Sequence, residues 1–452
     1  MKLYLLKLRD KLFNSFWFQP ILMALLAGVA AFASIRYDHA LGSDWLDEVF
    51  GWVWSGGAEG ARSVLSVIAG SLMTVVSIVF SLTISTLAQV SSHFGPRVLR
   101  QFTSDRVVQF TLGIFIATFV YCLLVLRSIR SADESLFIPY LSVNIGMALA
   151  LASLAVLIFY IHHIARIIQA EPLVAGVGQE IQRALNEMFP ESIGHPSDEE
   201  TDRSLQPPDE GQWRAARAVY STDNGYLQVI DDGRLMELAV ERDMLVKLIR
   251  RPGEFVTAGS VLAKALPIER ASDEALEQLQ GCFSLGAHRM PDLDALYLLQ
   301  QLVEIAARAL SPGINEPFTA LICIDWLGAA LRNLAVREMP VPLRQDAGGT
   351  LRVVTKELDF EEILQAVFDQ IRIYGAQSPE VMSRLLGAIA DIASAARRER
   401  DRRALADYAH RIGADAEREI ANADDRARVS ALVYETLQAL ERADEPKNPR
   451  AS

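Results

Sequence analysis

The residues best placed to do chemistry lie within one apolar run. Between Ser63 and Val90, the residues Gly70, Thr74, Ser77, Ser81, Ser85 and Ala88 recur at intervals of four, three, four, four and three. On a helix this spacing draws a single stripe of small and hydroxyl-bearing side chains. Gln89 borders the stripe, Ser92 continues it, and Leu72, Val75, Val79 and Leu82 lie across from it. Such a row has two uses in a membrane. Small residues let helices approach closely while hydroxyls bond across the seam. Alternatively, several copies of the helix ring a water path whose weak dipoles pass small ions without trapping them. The candidate pore-lining set is Gly70, Thr74, Ser77, Ser81, Ser85 and Gln89.

A second concentration of polar turn residues is Ser311-Pro-Gly-Ile-Asn-Glu-Pro-Phe318, set between two apolar helical patterns. Ser311, Asn315 and Glu316 line a pocket or subunit contact, or else Asn315 and Glu316 cap a buried helix hairpin. His162 and His163 close an apolar run. Neighbours on a helix point about 100° apart, which suits hydrogen bonding at helix ends or headgroups better than shared metal ligation. Cys122, Cys282 and Cys323 lack ligand spacing and read as buried thiols. No nucleophile elbow, Walker loop, His-Glu-x-x-His or paired-cysteine motif is present, so no enzyme activity, cofactor or metal is expected. A formal net charge of −12 argues against a nucleic-acid partner, which needs a basic footprint.

These residues need a membrane domain to position them. Four uncharged stretches, about 17–35, 63–90, 107–126 and 137–161, are long enough to cross a hydrocarbon core of roughly 30 Å. The first exceeds the roughly 7–15 residues of a signal-peptide core and reads as a retained span. Residues 63–90 would make about 42 Å of helix, so that span tilts or protrudes. Lys2, Lys7, Arg9 and Lys11 place the N-terminus in the cytoplasm. Asp38, Asp44, Asp47, Glu48 and Glu59 suit an outer loop, and Arg97, Arg100 and Arg106 return the chain inside. Trp17, Trp45, Trp52, Trp54, Phe137 and Tyr140 fall near interfaces. The location expected is a bacterial inner (plasma) membrane, with lipid as partner and both termini cytoplasmic. No ionisable residue lies within the spans, which disfavours a pump or a voltage sensor.

The expected architecture is a mostly α membrane protein: a four-helix transmembrane domain over 1–170, then a cytosolic α+β region. A helical extension and an acidic, Pro-containing linker occupy 171–212, with a small β-rich module over 213–268 and a helical domain over 269–445. Within the module, strand patterns at 215–220, 226–230, 244–249, 255–256 and 261–266 flank a short helix at 232–242. Its Pro-Gly-Glu-Phe-Val turn is similar to that of biotinyl and lipoyl carriers. Lys264, however, sits inside a strand rather than on a hairpin, so no cofactor attachment is expected. From Asp273 onward the pattern reads as helical. Arg397–Arg403 alternates in sign, as on a solvated, ion-paired helix face.

Several segments together resemble one family. They are Val79-Phe-Ser-Leu-Thr-Ile84, Phe94-Gly-Pro-Arg-Val-Leu99, Ile161-His-His-Ile164, Gly225-Tyr-Leu-Gln-Val-Ile-Asp231, Arg251-Pro-Gly-Glu-Phe-Val256 and, most specific, Arg308-Ala-Leu-Ser-Pro-Gly-Ile-Asn-Glu-Pro-Phe-Thr-Ala320. The family is that of bacterial predicted membrane proteins carrying domain of unknown function 2254. Its usual Asp is replaced here by Glu316. The resemblance implies four spans and a cytosolic C-terminal domain, and it implies no activity. The functional expectation therefore comes from the residues: a homo-oligomeric channel passing small ions along the second span. The alternative is a non-conducting scaffold or sensor whose cytosolic part binds a ligand or protein.

Overall fold

The computed structural model describes residues 17–41, 57–95, 105–130, 137–167, 169–188, 207–290, 294–337, 339 and 342–444. The chain forms two compact units, residues 1–172 and 173–452. Expectations placed on Lys2 to Lys11, on Asp44 to Trp54, on Arg97 and Arg100, and on most of the acidic linker lie outside the described residues.

Among the described residues the first unit holds four long helices: α1 Phe18–Leu41, α2 Ala58–Phe94, α3 Arg106–Ser128 and α4 Tyr140–Ile167. All four meet the length and apolarity needed to cross a bilayer. α2 has 37 residues, about 55 Å at 1.5 Å each, well beyond the bilayer core. α3 packs against α1, α2 and α4 and carries the core. One cluster joins Ala31, Leu65, Ala69, Tyr121, Cys122 and Val143. A second joins Leu72, Val79, Leu112, Phe115 and Tyr160. Large apolar side chains that face outward, such as Leu25, Val29, Ile78, Leu151 and Ile158, are each more than half exposed, as lipid contact requires.

Helix ends are tied across the bundle by charges that a loop reading of the sequence conceals. Asp38, on α1, accepts the first-turn N–H groups of Leu141 (3.0 Å) and Ser142 (3.0 Å) and the Ser142 hydroxyl (2.6 Å). It thereby satisfies donors that the start of α4 would otherwise leave without partners. Arg62 donates to the Ile129 carbonyl at the end of α3 (2.8 Å), where the helix dipole favours a cation. Asp105 caps α3 through Val107 N–H and meets His163 Nε2 of α4 at 2.8 Å.

In the second unit, α5 Ala170–Met188 (its first residues belonging to the first unit) is followed by α6 Glu210–Ala215, β1 Arg217–Tyr220, β2 Gly225–Ile230, α7 Asp232–Glu241, β3 Leu245–Leu248, β4 Phe255–Val256 and β5 Val261–Leu266. Then come α8 Asp273–Gln280, β6 Phe283–Gly286, α9 Ala295–Ala309, α10 Pro317–Val336, β7 Leu343–Gln345 and β8 Leu351–Val354. The chain closes with α11 Phe360–Tyr374, α12 Pro379–Ala395, α13 Glu399–Glu419 and α14 Ala423–Asp444.

Two corrections arise here. The stretch after Asp273 is not purely helical. β6 joins a three-stranded sheet ordered β4-β2-β6, and β7 and β8 complete a five-stranded sheet ordered β1-β5-β3-β8-β7. The joining pair, β3 with β8, is parallel, with Val246 opposite Val353. Secondly, five described helices rather than four have the length and composition of a span, the fifth being α10.

Elsewhere the local chemistry matches the local structure. Lys264 lies in β5 and its Nζ donates to the Trp213 carbonyl at 2.9 Å. The arginine run is ion-paired, Arg398 with Asp401 at 2.6 Å and Arg400 with Asp359 at 2.7 Å. Gly178 of α5 lies so close to α10 that an added Cβ would fall 2.4 Å from the Trp326 ring. That residue serves helix packing.

Candidate functional site

α2 buries one face only. Leu65, Leu72, Val79, Thr83, Thr86 and Val90 pack inward, while Gly70, Thr74, Ser77, Ser81, Ser85 and Gln89 are all exposed. At 100° per residue, Ser81 points about 180° from Leu72, so the stripe lies diametrically opposite the packed face. Gln89, about 80° further round than Ser81, is on the stripe's margin. A Cβ built at Gly70 would meet nothing within 4 Å. Ala88 and Ser92 are exposed too, so the row is open along the helix.

Among the described residues, then, nothing packs on the stripe. A different set of hydroxyls bonds across the bundle. Thr83 bonds Tyr160 at 2.6 Å, Thr118 meets Ser153 at 3.2 Å, and Ser34 joins Tyr121 (2.9 Å) and Ser142 (3.0 Å). Thr74 and Ser77 instead donate to the carbonyls four residues back, Gly70 O at 3.2 Å and Met73 O at 3.0 Å. A hydroxyl bonded this way keeps its donor satisfied in a low dielectric and turns its oxygen outward, as a weak acceptor for water or a cation. The exposed face is not wholly polar: Val67, Met73, Ile78 and Ile84 flank the stripe and are each more than half exposed.

The Ser311–Glu316 loop belongs to the second unit. Asn315 adopts φ 49°, a left-handed conformation that Asn tolerates. Its N–H bonds Ser311 O at 2.8 Å, and Glu316 N–H bonds Ala309 O at 2.8 Å. The Ser311 hydroxyl donates to Arg308 O at 2.6 Å. Glu316 occupies the N-cap position of α10 but makes no side-chain capping bond, and Asn315 and Glu316 are exposed. Capping by these two side chains is therefore corrected: the backbone and Ser311 make the turn. Sequence reasoning missed Phe318, which stands 77% exposed beside them. It also missed Asp38, counted with the loop acids although Ser34 lies one helical turn before it. Both residues engage Ser142. His163 takes a helix-end role through Asp105, and His162 is exposed. All three cysteines are buried and free, and burial pushes the Cys282 thiol above its usual range. Among the described residues no group of three or more His, Cys, Asp or Glu is arranged to hold a metal ion.

Comparison with known proteins adds a family. Residues 13–391 match the family model described as predicted membrane protein, DUF2254. An uncharacterized protein of Mycobacterium tuberculosis (strain H37Rv) is 32% identical over 388 residues, covering 84% of this chain and 73% of the relative. An uncharacterized protein of Mycobacterium bovis shows the same identity and coverage. No solved structure matches. With its apolar helices and a family match that runs across most of its length, the chain belongs to the DUF2254 family of predicted membrane proteins.

Proposed function

We propose that the protein is a homo-oligomeric channel of a bacterial inner membrane, with α2 of each copy lining a pore for small ions. The observation that carries this reading is the open hydroxyl row on the side of α2 opposite its packed face. A long row of hydroxyls is poorly matched to lipid, whereas copies of α2 around an axis would give it water. The low charge of the row favours passive conduction.

Four helices span in this proposal. α10 is a core helix of the second unit, because Cys323, Ile324, Leu327, Leu331 and Leu334 are buried and Asp325 in its middle pairs with Arg384 at 3.0 Å. The positive residues around the first span support an orientation with both termini and the second unit in the cytoplasm. A reporter fused after Ser452 reads that orientation directly.

Purified protein in planar bilayers is expected to carry current, and its mass in mild detergent is expected to be that of a symmetric oligomer. A monomer at every concentration, or a well-assembled oligomer that carries no current, would remove the channel. The protein would then be a scaffold or sensor.

A further inference from the structure

The second unit contains a cavity of about 590 Å³ that the channel reading does not use. Its apolar floor is made by Ile230, Leu235, Met236, Leu248 and Val353, from β2, α7, β3 and β8. Arg250, Arg251, Arg344 and Lys356 stand on its wall. Two of the segments that mark the family build it: the strand ending at Ile230, and Arg251–Pro252 of the turn into β4. The cavity lies where α9 begins, since Asp294, the N-cap of that helix, also lines it; the Asn315 loop follows the helix's other end.

The cations are unevenly shared among the carboxylates. Glu254 alone receives Arg250 at 3.3 Å, Arg251 at 3.6 Å and Lys356 at 2.7 Å. Arg251 has a second carboxylate, Glu362 at 2.9 Å, so Arg250 and Lys356 share Glu254. Arg250 Nε is buried and has no hydrogen-bond partner. The acids on the wall are engaged elsewhere. Asp294 holds Arg289 at 2.6 Å, Glu357 holds Arg344 at 2.9 Å, and Asp232 accepts Gly233 N–H at 2.9 Å. Arg250 and Lys356 therefore reach the cavity wall with one carboxylate between them.

We propose that this cavity binds a small amphipathic organic anion, its carboxylate or phosphate head on Arg250 and Lys356 and its apolar body against Met236 and Val353. The volume is that of a small-molecule pocket, and apolar walls with a few convergent polar groups are how such pockets work. An anion between Arg250 and Lys356 would give the two cations that share Glu254 a second, charge-assisted partner. The proposal stands independently of whether α2 conducts.

The test is calorimetric titration of the full chain in lipid nanodiscs, with empty discs subtracted. Phenyl phosphate and benzoate are the amphipathic probes, and inorganic phosphate and benzyl alcohol are the half-probes. At least one amphipathic probe is expected to bind with a Kd of about 1 mM or tighter, and neither half-probe to match it. The tighter of the two probes identifies the head group. Arg250→Met should weaken binding about tenfold and Arg250→Lys should restore part of it. Met236→Trp, which fills the floor without touching a charge, should weaken it as well. Thermal melts of each variant, required to match wild type, separate lost binding from lost folding. Absence of binding to wild type, equal binding of inorganic phosphate, or binding indifferent to both Arg250→Met and Met236→Trp would overturn the proposal.

Discussion

Ser81→Leu is expected to abolish current and leave the oligomer intact. Ser81 points directly away from the face that α2 packs on α3 and α4, so a larger side chain there disturbs no contact among the described residues. Leu is at home in a membrane helix, and a substitution on a face away from the core changes stability by within about 0.5 kcal/mol. Conduction is another matter. One Leu from each copy at the same level forms an apolar ring, and such a constriction closes by dewetting rather than by narrowing alone. The loss should therefore be near-complete. Bilayer recording beside mass measurement in detergent checks both halves. If the oligomer falls apart instead, the row is an interface between copies and not a pore.

Gly253→Ala is expected to destabilise the second unit strongly. Gly253 has φ +92°, in the region that favours glycine, and an added Cβ would lie 2.2 Å from Asp294 Oδ2. Asp294 cannot simply swing aside. It is 6% exposed, it caps α9 through Tyr297 N–H, and it holds Arg289. The backbone cost of about 1–2 kcal/mol is thus joined by the loss of a cap and a buried ion pair, for about 3 kcal/mol or more in all. Gly259→Ala is the control, since its φ is +84° but nothing lies within 4 Å of the new Cβ. It should show the backbone cost alone. Chemical denaturation giving equal losses for the two variants would contradict the role assigned to Asp294.

What the sequence makes legible is what depends on neighbours in the chain. Long uncharged runs announce α1 to α4 because bilayer thickness sets their length. The strands from Arg217 to Leu266 show because alternation and turn residues are local signals. The ends of α1 and α2 are hidden. Arg36, Asp38, Glu59 and Arg62 look like loop charges, yet they lie on helices, and Asp38 and Arg62 tie neighbouring helix termini across the bundle. β7 and β8 are hidden for a different reason. They are three and four residues long, and β8 pairs in parallel with a strand about a hundred residues earlier, which no local pattern encodes. The same distance conceals the cavity, since Arg250 and Lys356 meet only through Glu254. In the site itself the period of the stripe is readable from Gly70 to Ser85. Whether that row packs inside the chain is not readable, because both faces of α2 carry hydroxyls, and only the folded bundle decides that Thr83 and Thr86 turn inward.

The central claim is that the row on α2 faces water, and one modification reads it directly. Ser81→Cys preserves size and should conduct as wild type does. Cys122, Cys282 and Cys323 are buried, which leaves the introduced thiol as the accessible one among the described residues. A small, charged, water-soluble methanethiosulfonate added to the conducting Ser81→Cys protein in a planar bilayer is expected to block the current irreversibly while leaving wild type untouched. An introduced thiol that stays unmodified in a protein that still carries current would contradict the account, because the ions would then be passing somewhere other than along α2.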